Sequence, residues 1–441
     1  MTDRVHIIGI GGAGMSGLAR VLAGQGYRVS GCDTNFSPVL QSLDDEGIAV
    51  FAEHDARHVE DIDLLLWSPA VASDNPERVR AAELGVATLD RASMLAKLGN
   101  ENNLIGVTGT HGKTTATSML AWIMEESGRN VGRLLGADIR GLGSNGHFGP
   151  EGLVVEVDES YGTFAQVSPS SLALLNIEAD HLDYYGNLQA LETAFQELTQ
   201  RTAGPVVYYR SDPGARRVGD ALDGAIGVGS GGDWLIEEIE LDRRGARFTL
   251  TAKEKALPIS LQVTGRHNVA NAAVVAVLAH EIGVDDESIV RGLSKFQGAP
   301  RRFEFRGSHN EVDIYEDYAH LPGEITATLD AARDAGYERI GVVFQPHRVT
   351  RTMALAGELA TALGSAEWVI VTDIYDAGEE NKGGVTGELV ATPLKVINEE
   401  SLYKPALASI WDSLLDRPRV DAIFFLGAGD IAQVIPELRP R

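Results

Sequence analysis

Cysteine is almost missing from this sequence. Cys32 is the one thiol in 441 residues, so no intrachain disulfide can form, which suits a reducing compartment. Basic residues are scarce as well. There are 38 Lys and Arg against 63 Asp and Glu, a formal net charge of −25. A surface of that sign repels nucleic acid and anionic lipid. An anionic substrate must be met locally, by a few arginines and lysines, metal ions or helix N-termini. No apolar run approaches the roughly 18–20 residues that a bilayer span needs. The segment after Met1 lacks the charged start, long apolar core and small-residue cleavage site of a signal peptide. The expectation is a cytoplasmic protein with no membrane insertion and no nucleic-acid partner. Sequence repeats and long disordered linkers are missing too.

What is present is ordinary globular material, 44% apolar and 23% charged, in a length that suits roughly two to four domains. Many of the 49 glycines fall where an apolar strand meets a helical pattern. Three segments open this way: "RVHIIGI" from Arg4, "NLIGV" from Asn103 and "DIYEDY" from Asp313. Each runs into a glycine-rich or polar turn and then an amphipathic helix, the βα half of a parallel-sheet unit. Further buried strands follow at Leu64, Leu153, Ser171, Ile340, Trp368 and Ala422. The pattern predicts α/β domains with doubly wound sheets. Trp234 to Val263 alternates in polarity with few helix signals and predicts an antiparallel patch on the middle domain. Boundaries are expected near residues 100 and 300, giving domains 1–101, 102–299 and 300–441.

The strongest motif is Gly109-Thr110-His111-Gly112-Lys113-Thr114-Thr115, set between a strand and a helix. Glycines let backbone N–H groups close on phosphate oxygens, the helix N-terminus adds positive potential, Lys113 reaches terminal phosphates and Thr114 can ligate Mg²⁺. The general P-loop spelling would put glycine where Val107 stands. Glu156, Asp158 and Glu159 close the strand "LVVEVDE" and are well placed for a metal. By strand period Glu156 and Asp158 share a face and Glu159 does not. His181, in "NIEADHLDYYG", is a candidate to complete that site. At the N-terminus Gly9, Gly11 and Gly14 fit G-x-G-x-x-G, and Asp33 ends the next strand where a ribose-binding acid belongs. The turn fits any pyrophosphate-bearing nucleotide, a nicotinamide dinucleotide or a sugar nucleotide alike. Asn268 is placed to cap a helix, with His267 and Asn271 near its start. His347, Arg348 and Arg351 cluster after a strand as a clamp for an oxyanion or carboxylate.

Together these motifs resemble the Mur ligases. The likeness runs along essentially the whole chain through "HIIGIGGAGMSGLA", "SPAVASDNPE", "GVTGTHGKTT", "EVDES", "NIEADHLDYY", "HNVANA", "RRFEFRG", "DYAHLPGEI", "FQPHRVTRT", "TDIYDAGEE" and "LGAGDI". The resemblance implies a Rossmann-like N-terminal domain for the UDP-sugar, a central P-loop ATPase domain with a mixed sheet, and a Rossmann-like C-terminal domain that closes over an amino acid. Within the family the spelling is similar to the alanine-adding branch. That implies an amide made between the lactoyl carboxylate of UDP-N-acetylmuramate and the amine of L-alanine, with ATP and Mg²⁺ and an acyl-phosphate intermediate. The implied positions are Gly11, Gly12, Asp33, His54 and Ser68 near UDP. Gly109 to Thr115 would hold ATP, with Lys113 on the phosphates. Thr114, Glu156 and His181 would serve the metal, and His267 and Asn271 the adenine. Arg302 and Asp317 would reach the nucleotide. Tyr318, His320, His347, Arg348 and Arg351 would surround the amino acid and acyl group. Lys113, His181, His347, Arg348 and Arg351 are the expected catalytic set.

Four departures stand out against the family's usual spelling. Leu321 replaces the second histidine of "DYAHHP", Cys32 replaces a serine, and "EADES" becomes "EVDES" with its acids kept. No lysine lies between Lys113 and Lys253. Sister ligases carry a carbamylated lysine near the place of Phe195, and the alanine-adding branch lacks it. Rival readings are a nicotinamide oxidoreductase, a non-catalytic nucleotide-binding regulator, and a sister ligase that attaches a recycled tripeptide to the same sugar nucleotide. Monomer and homodimer both stay open.

Overall fold

The structure, a computed structural model, describes residues 4–34, 36–68, 70–253, 255–381, 383–414, 417–436 and 438; the side chains of residues 100, 101, 161, 163 and 183 are outside that set. Two compact units emerge: Met1–Glu240 with Arg247–Gln262 and His267–Gln297, and Gly298–Arg441 with Leu241–Ala246 and Val263–Arg266. No helix among the described residues is long and apolar enough to cross a membrane.

The first unit holds two doubly wound layers. Five strands, β1 (Arg4–Ile8), β2 (Arg28–Cys32), β3 (Ala49–Phe51), β4 (Leu64–Trp67) and β5 (Ala87–Asp90), form an all-parallel sheet in the order β3-β2-β1-β4-β5. The order reverses at β1, so the turn after β1 lies at a topological switch point, where ligands of such sheets bind. The second sheet has seven strands: β6 (Leu104–Thr108), β7 (Val131–Leu134), β8 (Gly146–Pro150), β9 (Leu153–Glu156), β10 (Ser171–Leu174), β11 (Val206–Tyr209) and β12 (Ile226–Val228). Its order is β12-β11-β10-β6-β9-β7-β8. It is mixed, since β8 pairs antiparallel with β7. β6 is buried along its whole length, as a central parallel strand covered on both faces must be.

The two layers share one apolar core that runs from Val5, Ile7 and Leu18 to Leu134, Leu153 and Phe195. The helix Ala13–Gly24 lies on β8 at backbone distance. A Cβ on Gly146 would sit 2.1 Å from the Gly17 carbonyl oxygen. Asn145 locks the approach. Its Nδ2 donates to the Ala13 carbonyl at 2.6 Å and its Oδ1 accepts from Arg20 Nη1 at 2.8 Å.

The expected antiparallel patch is a separate three-stranded sheet of β13 (Leu235–Asp242), β14 (Gly245–Ala252) and β15 (Lys255–Leu261). Two residues join β13 to β14, a connection only antiparallel neighbours allow.

The second unit carries β16 (Glu304–His309), β17 (Val312–Asp317), β18 (Ile340–Phe344), β19 (Trp368–Val371), β20 (Leu402–Tyr403) and β21 (Ala422–Leu426), in the order β16-β17-β21-β18-β19-β20. Only β16 pairs antiparallel. Phe424 and Phe425 are neighbours in β21 and enter different cores, one with Tyr315 and Phe344, the other with Ile314 and Trp368. Alternation along a strand covered on both faces produces that split.

Candidate active site

The loop after β6 is shaped by its glycines. Gly109 has φ +141°, and a Cβ there would meet the Asn176 backbone at 3.0 Å. Gly112 caps the helix Lys113–Glu126 with φ +80°, and a Cβ there would meet the buried Asn271 amide at 2.8 Å. Asn176, just past neighbouring β10, clamps the loop. Its Oδ1 accepts from His111 N at 2.7 Å, its Nδ2 donates to His111 O at 3.0 Å, and its carbonyl accepts from Thr110 N at 3.1 Å. The result is a rigid turn on a helix N-terminus, a ready phosphate cradle.

Lys113 points back into this loop. Its Nζ donates to Gly109 O at 2.8 Å, Thr110 O at 3.1 Å and Glu159 Oε2 at 2.7 Å, and lies 3.6 Å from Asp158. Burial alone would lower its pKa, but Glu159, Asp158 and Glu156 outweigh that and hold it above the ordinary lysine value. Burial pushes Glu159 up to about 7, with Asp158 adding and Lys113 opposing. β9 lies directly beside β6, and Glu156 at its end accepts from Thr114 Oγ1 at 3.0 Å and Gly136 N at 3.2 Å. His181, at φ +52° before the short helix Leu182–Tyr185, places Nε2 3.3 Å from Ser160 Oγ and 4.0 Å from Glu159 Oε1.

One expectation fails here. The strand period set Glu159 apart from Glu156 and Asp158, yet Glu159 and Asp158 meet at Lys113, Glu159 more closely. β9 ends at Glu156, the period stops with it, and a 3₁₀ turn from Ser160 follows. Among the described residues, Glu156, Asp158, Glu159 and His181 do not themselves close into a three-donor group around one point. The Lys113 ammonium sits against two of the carboxylates. Glu159 Oε1 is buried without a hydrogen-bond partner, 4.0 Å from His181 Nε2, an unsatisfied hard-oxygen acceptor on the His181 side of the loop.

The N-terminal turn follows the same logic at the first sheet's switch point. Gly9 has φ +76°, and a Cβ on it would crowd Ser68 Cβ at 3.1 Å. Asp33 Oδ2 accepts from Gly11 N at 3.0 Å. Gly12 caps the helix Ala13–Gly24. Over Gly14 lies the Arg91 guanidinium, 2.7 Å from where a Cβ would stand, with its Nε buried and unpartnered. Sequence reasoning passed over Arg91. His54 is turned toward Cys32 Sγ (3.1 Å) and Glu77 (3.0 Å). His267 is exposed at the start of the helix Arg266–Glu281.

In the second unit, Asp317 at the end of β17 is buried and accepts from Phe303 N and Ala319 N, both at 2.7 Å. Burial raises its pKa, with Arg302 opposing. Arg301 and Arg302 lie over the Tyr318 ring at 5.0 and 4.9 Å. His320 and His347 approach to 5.5 Å between ring centres, and His347 stacks on Tyr375. Arg351 Nη1 is 3.3 Å from His347 Nδ1, and Arg348 precedes the helix Val349–Leu363 at φ +69°. Burial, then His320, Arg351 and Arg348, depress His347 to about 4. The imidazole is therefore neutral near pH 7, and the two arginines carry the positive charge of this cluster. Tyr318, His320, His347, Arg348 and Arg351 do come together.

Comparison with known proteins identifies the family. Profiles described as "Mur ligase family, catalytic domain", "Mur ligase middle domain" and "Mur ligase, glutamate ligase domain" match residues 4–102, 107–279 and 301–429. The chain belongs to the Mur ligase family. The ligase is 40% identical to a UDP-N-acetylmuramate–L-alanine ligase of Gloeobacter violaceus over 99% of this chain and 95% of that one. It is 38% identical to the protein of the same description from Thermobifida fusca, over 99% and 96%. Among solved structures it is similar to the UDP-N-acetylmuramate-alanine ligase of Thermotoga maritima, with a TM-score of 0.82 and 30% identity over 98% of this chain and 97% of that one. A murein peptide ligase from Psychrobacter arcticus shares the fold, at TM-score 0.70 and 24% identity over 98% and 97%.

Family membership makes the ligase an ATP-dependent enzyme with three Mur ligase domains on α/β sheets. Its departure at Leu321 is absorbed locally. Leu321 precedes the helix Pro322–Asp334, and Glu324 accepts from the backbone N–H groups of both His320 (3.0 Å) and Leu321 (3.2 Å). That interaction satisfies the helix start whatever side chain stands at 321. Phe195, near where the resemblance places the sister ligases' lysine, is fully buried against Phe164.

Proposed function

We propose that this Mur ligase forms an amide between the lactoyl carboxylate of UDP-N-acetylmuramate and the amine of L-alanine, in peptidoglycan precursor synthesis. The observation that carries the chemistry is the Asn176-clamped cradle with Lys113 and Thr114 beside Glu156. The acceptor is supported by full-length likeness to L-alanine ligases.

The chemical problem is a carboxylate, which is a poor electrophile. In the proposed route the lactoyl carboxylate attacks the γ-phosphorus of ATP, a C–O–P bond forms, and the β–γ bond breaks to release ADP. The alanine amine then attacks the acyl carbon, loses a proton, and phosphate leaves with the electron pair of the C–O bond. The backbone amides of residues 109–115 and the Lys113 ammonium take up charge on the transferring phosphoryl group. Asn271, packed on Gly112, and His267 are assigned to the adenine end. Gly11, Gly12, Asp33, His54 and Ser68 are assigned to the UDP-sugar. Arg302, Asp317, Tyr318, His320, His347, Arg348 and Arg351 are assigned to the nucleotide, the amino acid and the acyl group.

Thr114, Glu156 and His181 are the residues we assign to Mg²⁺, and the unpartnered Glu159 Oε1, 4.0 Å from His181 Nε2, is of a kind that suits a hard cation. When bound, the ion would supply charge neutralisation at the phosphates. The test is phosphate release and product mass with ATP, Mg²⁺, UDP-N-acetylmuramate and one amine at a time. L-alanine is the expected amine. Turnover only with the preformed tripeptide would move the protein to the recycling sister ligase.

A further inference from the structure

Beneath the first sheet, four side chains that the proposed reaction does not use converge on one point. His6 lies in β1 and Cys32 ends β2. In register His6 faces Ser30, two residues before Cys32, so both point to the same face. His58 comes from the short turn Ala56–Val59 and Glu77 from the first turn of the helix Pro76–Leu84. His6, Cys32 and Glu77 are fully buried. One donor atom from each of the four lies within 4.8 Å of all the others.

A buried carboxylate needs partners, and Glu77 has a surplus. The Cys32 thiol donates to Oε1 and Oε2 at 3.1 and 3.0 Å; His58 Nδ1 is 2.8 Å and His6 Nε2 3.2 Å from Oε1. Burial pushes the Glu77 carboxyl up, and these contacts overcome it and hold it at about 2. The imidazoles are already oriented. Ser30 Oγ lies 2.9 Å from His6 Nδ1, which turns Nε2 inward, and Phe51 stacks on the His58 ring at 4.0 Å. Such outer contacts are what fix metal-ligating histidines.

We propose that His6, Cys32, His58 and Glu77 form a structural zinc site. One thiolate, two imidazoles and one carboxylate make a borderline-soft set that selects Zn²⁺ over Mg²⁺ or Ca²⁺. Tetrahedral Zn²⁺, with ligands at about 2.0–2.3 Å, spaces its donors by about 3.3–3.8 Å. The present contacts reach that spacing with side-chain shifts of about an ångström. As the S–Zn bond forms, the Cys32 proton leaves to solvent. His54, 3.1 Å from the sulfur, is an outer partner. The site would pin the end of β2 immediately before Asp33. It is separate from the Mg²⁺ position, whose oxygen donors lie beside Lys113.

The test uses the full chain. After incubation with zinc and passage through a weak chelator, elemental analysis should find about one zinc per chain. The folded Cys32→Ser variant should bind zinc about tenfold or more weakly. Loading with Co²⁺ should produce a thiolate-to-cobalt charge-transfer band, absent from Cys32→Ser. That band is read on the unmodified chain, so it decides even if a variant fails to fold. Cobalt bound without a thiolate band, zinc well below one per chain, or undiminished zinc affinity in folded Cys32→Ser would each overturn the site.

Discussion

Lys113 holds two loop carbonyls and Glu159, so in the proposed reaction the γ-phosphate would have to win it from partners 2.7–3.1 Å away. It is the side chain whose loss should cost most. Lys113→Ala should slow phosphate release about 10²–10³-fold, the scale of about 3–4 kcal/mol for one transition-state donor. The melting temperature would show that the fold persists. His347 gives a pH prediction. Its folded pKa, about 4, lies below the ordinary histidine value near 6.5, so the unfolded chain binds its proton first on acidification. Its contribution to stability is present above pH 6.5 and is lost as pH falls toward 4. Denaturation midpoints of the native chain and His347→Gln should therefore converge across that window. Direct titration of His347 near 6.5 would contradict the burial argument. The glycine and lysine spacing of the cradle was legible in the sequence because each part acts within seven residues. Glu159 was misplaced because a period holds only while the strand lasts, and Asn176 was overlooked because its partners lie about 65 residues earlier in the chain.

The strand-turn-helix units were the readable elements. Apolar runs such as "NLIGV" and "AIFFLGAG" read as buried strands; the first shifts by one residue to Leu104–Thr108 and the second shortens to Ala422–Leu426. Strand order and the way two sheets share a core depend on contacts far apart in sequence, and no local pattern encodes them. The helix Ala13–Gly24 against β8 shows this. Gly17 and Gly146 look like ordinary glycines until their backbones are seen to touch. Gly146→Ala should destabilise by about 1–3 kcal/mol through overpacking. Asn145→Ala should cost a similar amount, because Arg20 and the Ala13 carbonyl lose a buried partner. Urea midpoints measure both, and unchanged midpoints would mean that this seam adds nothing to the unit's stability.

For the whole molecule, a net charge of −25 sets a background of self-repulsion. Raising ionic strength from 0.1 to 1 M shortens the Debye length from about 10 to 3 Å, so the melting temperature should rise by several degrees. A fall would mean that the molecule's ion pairs, many of them exposed, outweigh the repulsion. The composition also makes local cationic sites necessary for anionic substrates, and Lys113, Arg348 and Arg351 are the cations proposed to meet them. The central claim is the reaction itself. The most direct measurement is phosphate release from ATP and Mg²⁺ by the purified chain, with UDP-N-acetylmuramate and L-alanine added separately and together. Release that needs both, with a product heavier than the sugar nucleotide by one alanyl residue, is the predicted result. Release that ignores the sugar nucleotide, or none with any amine despite tight ATP binding, would contradict it.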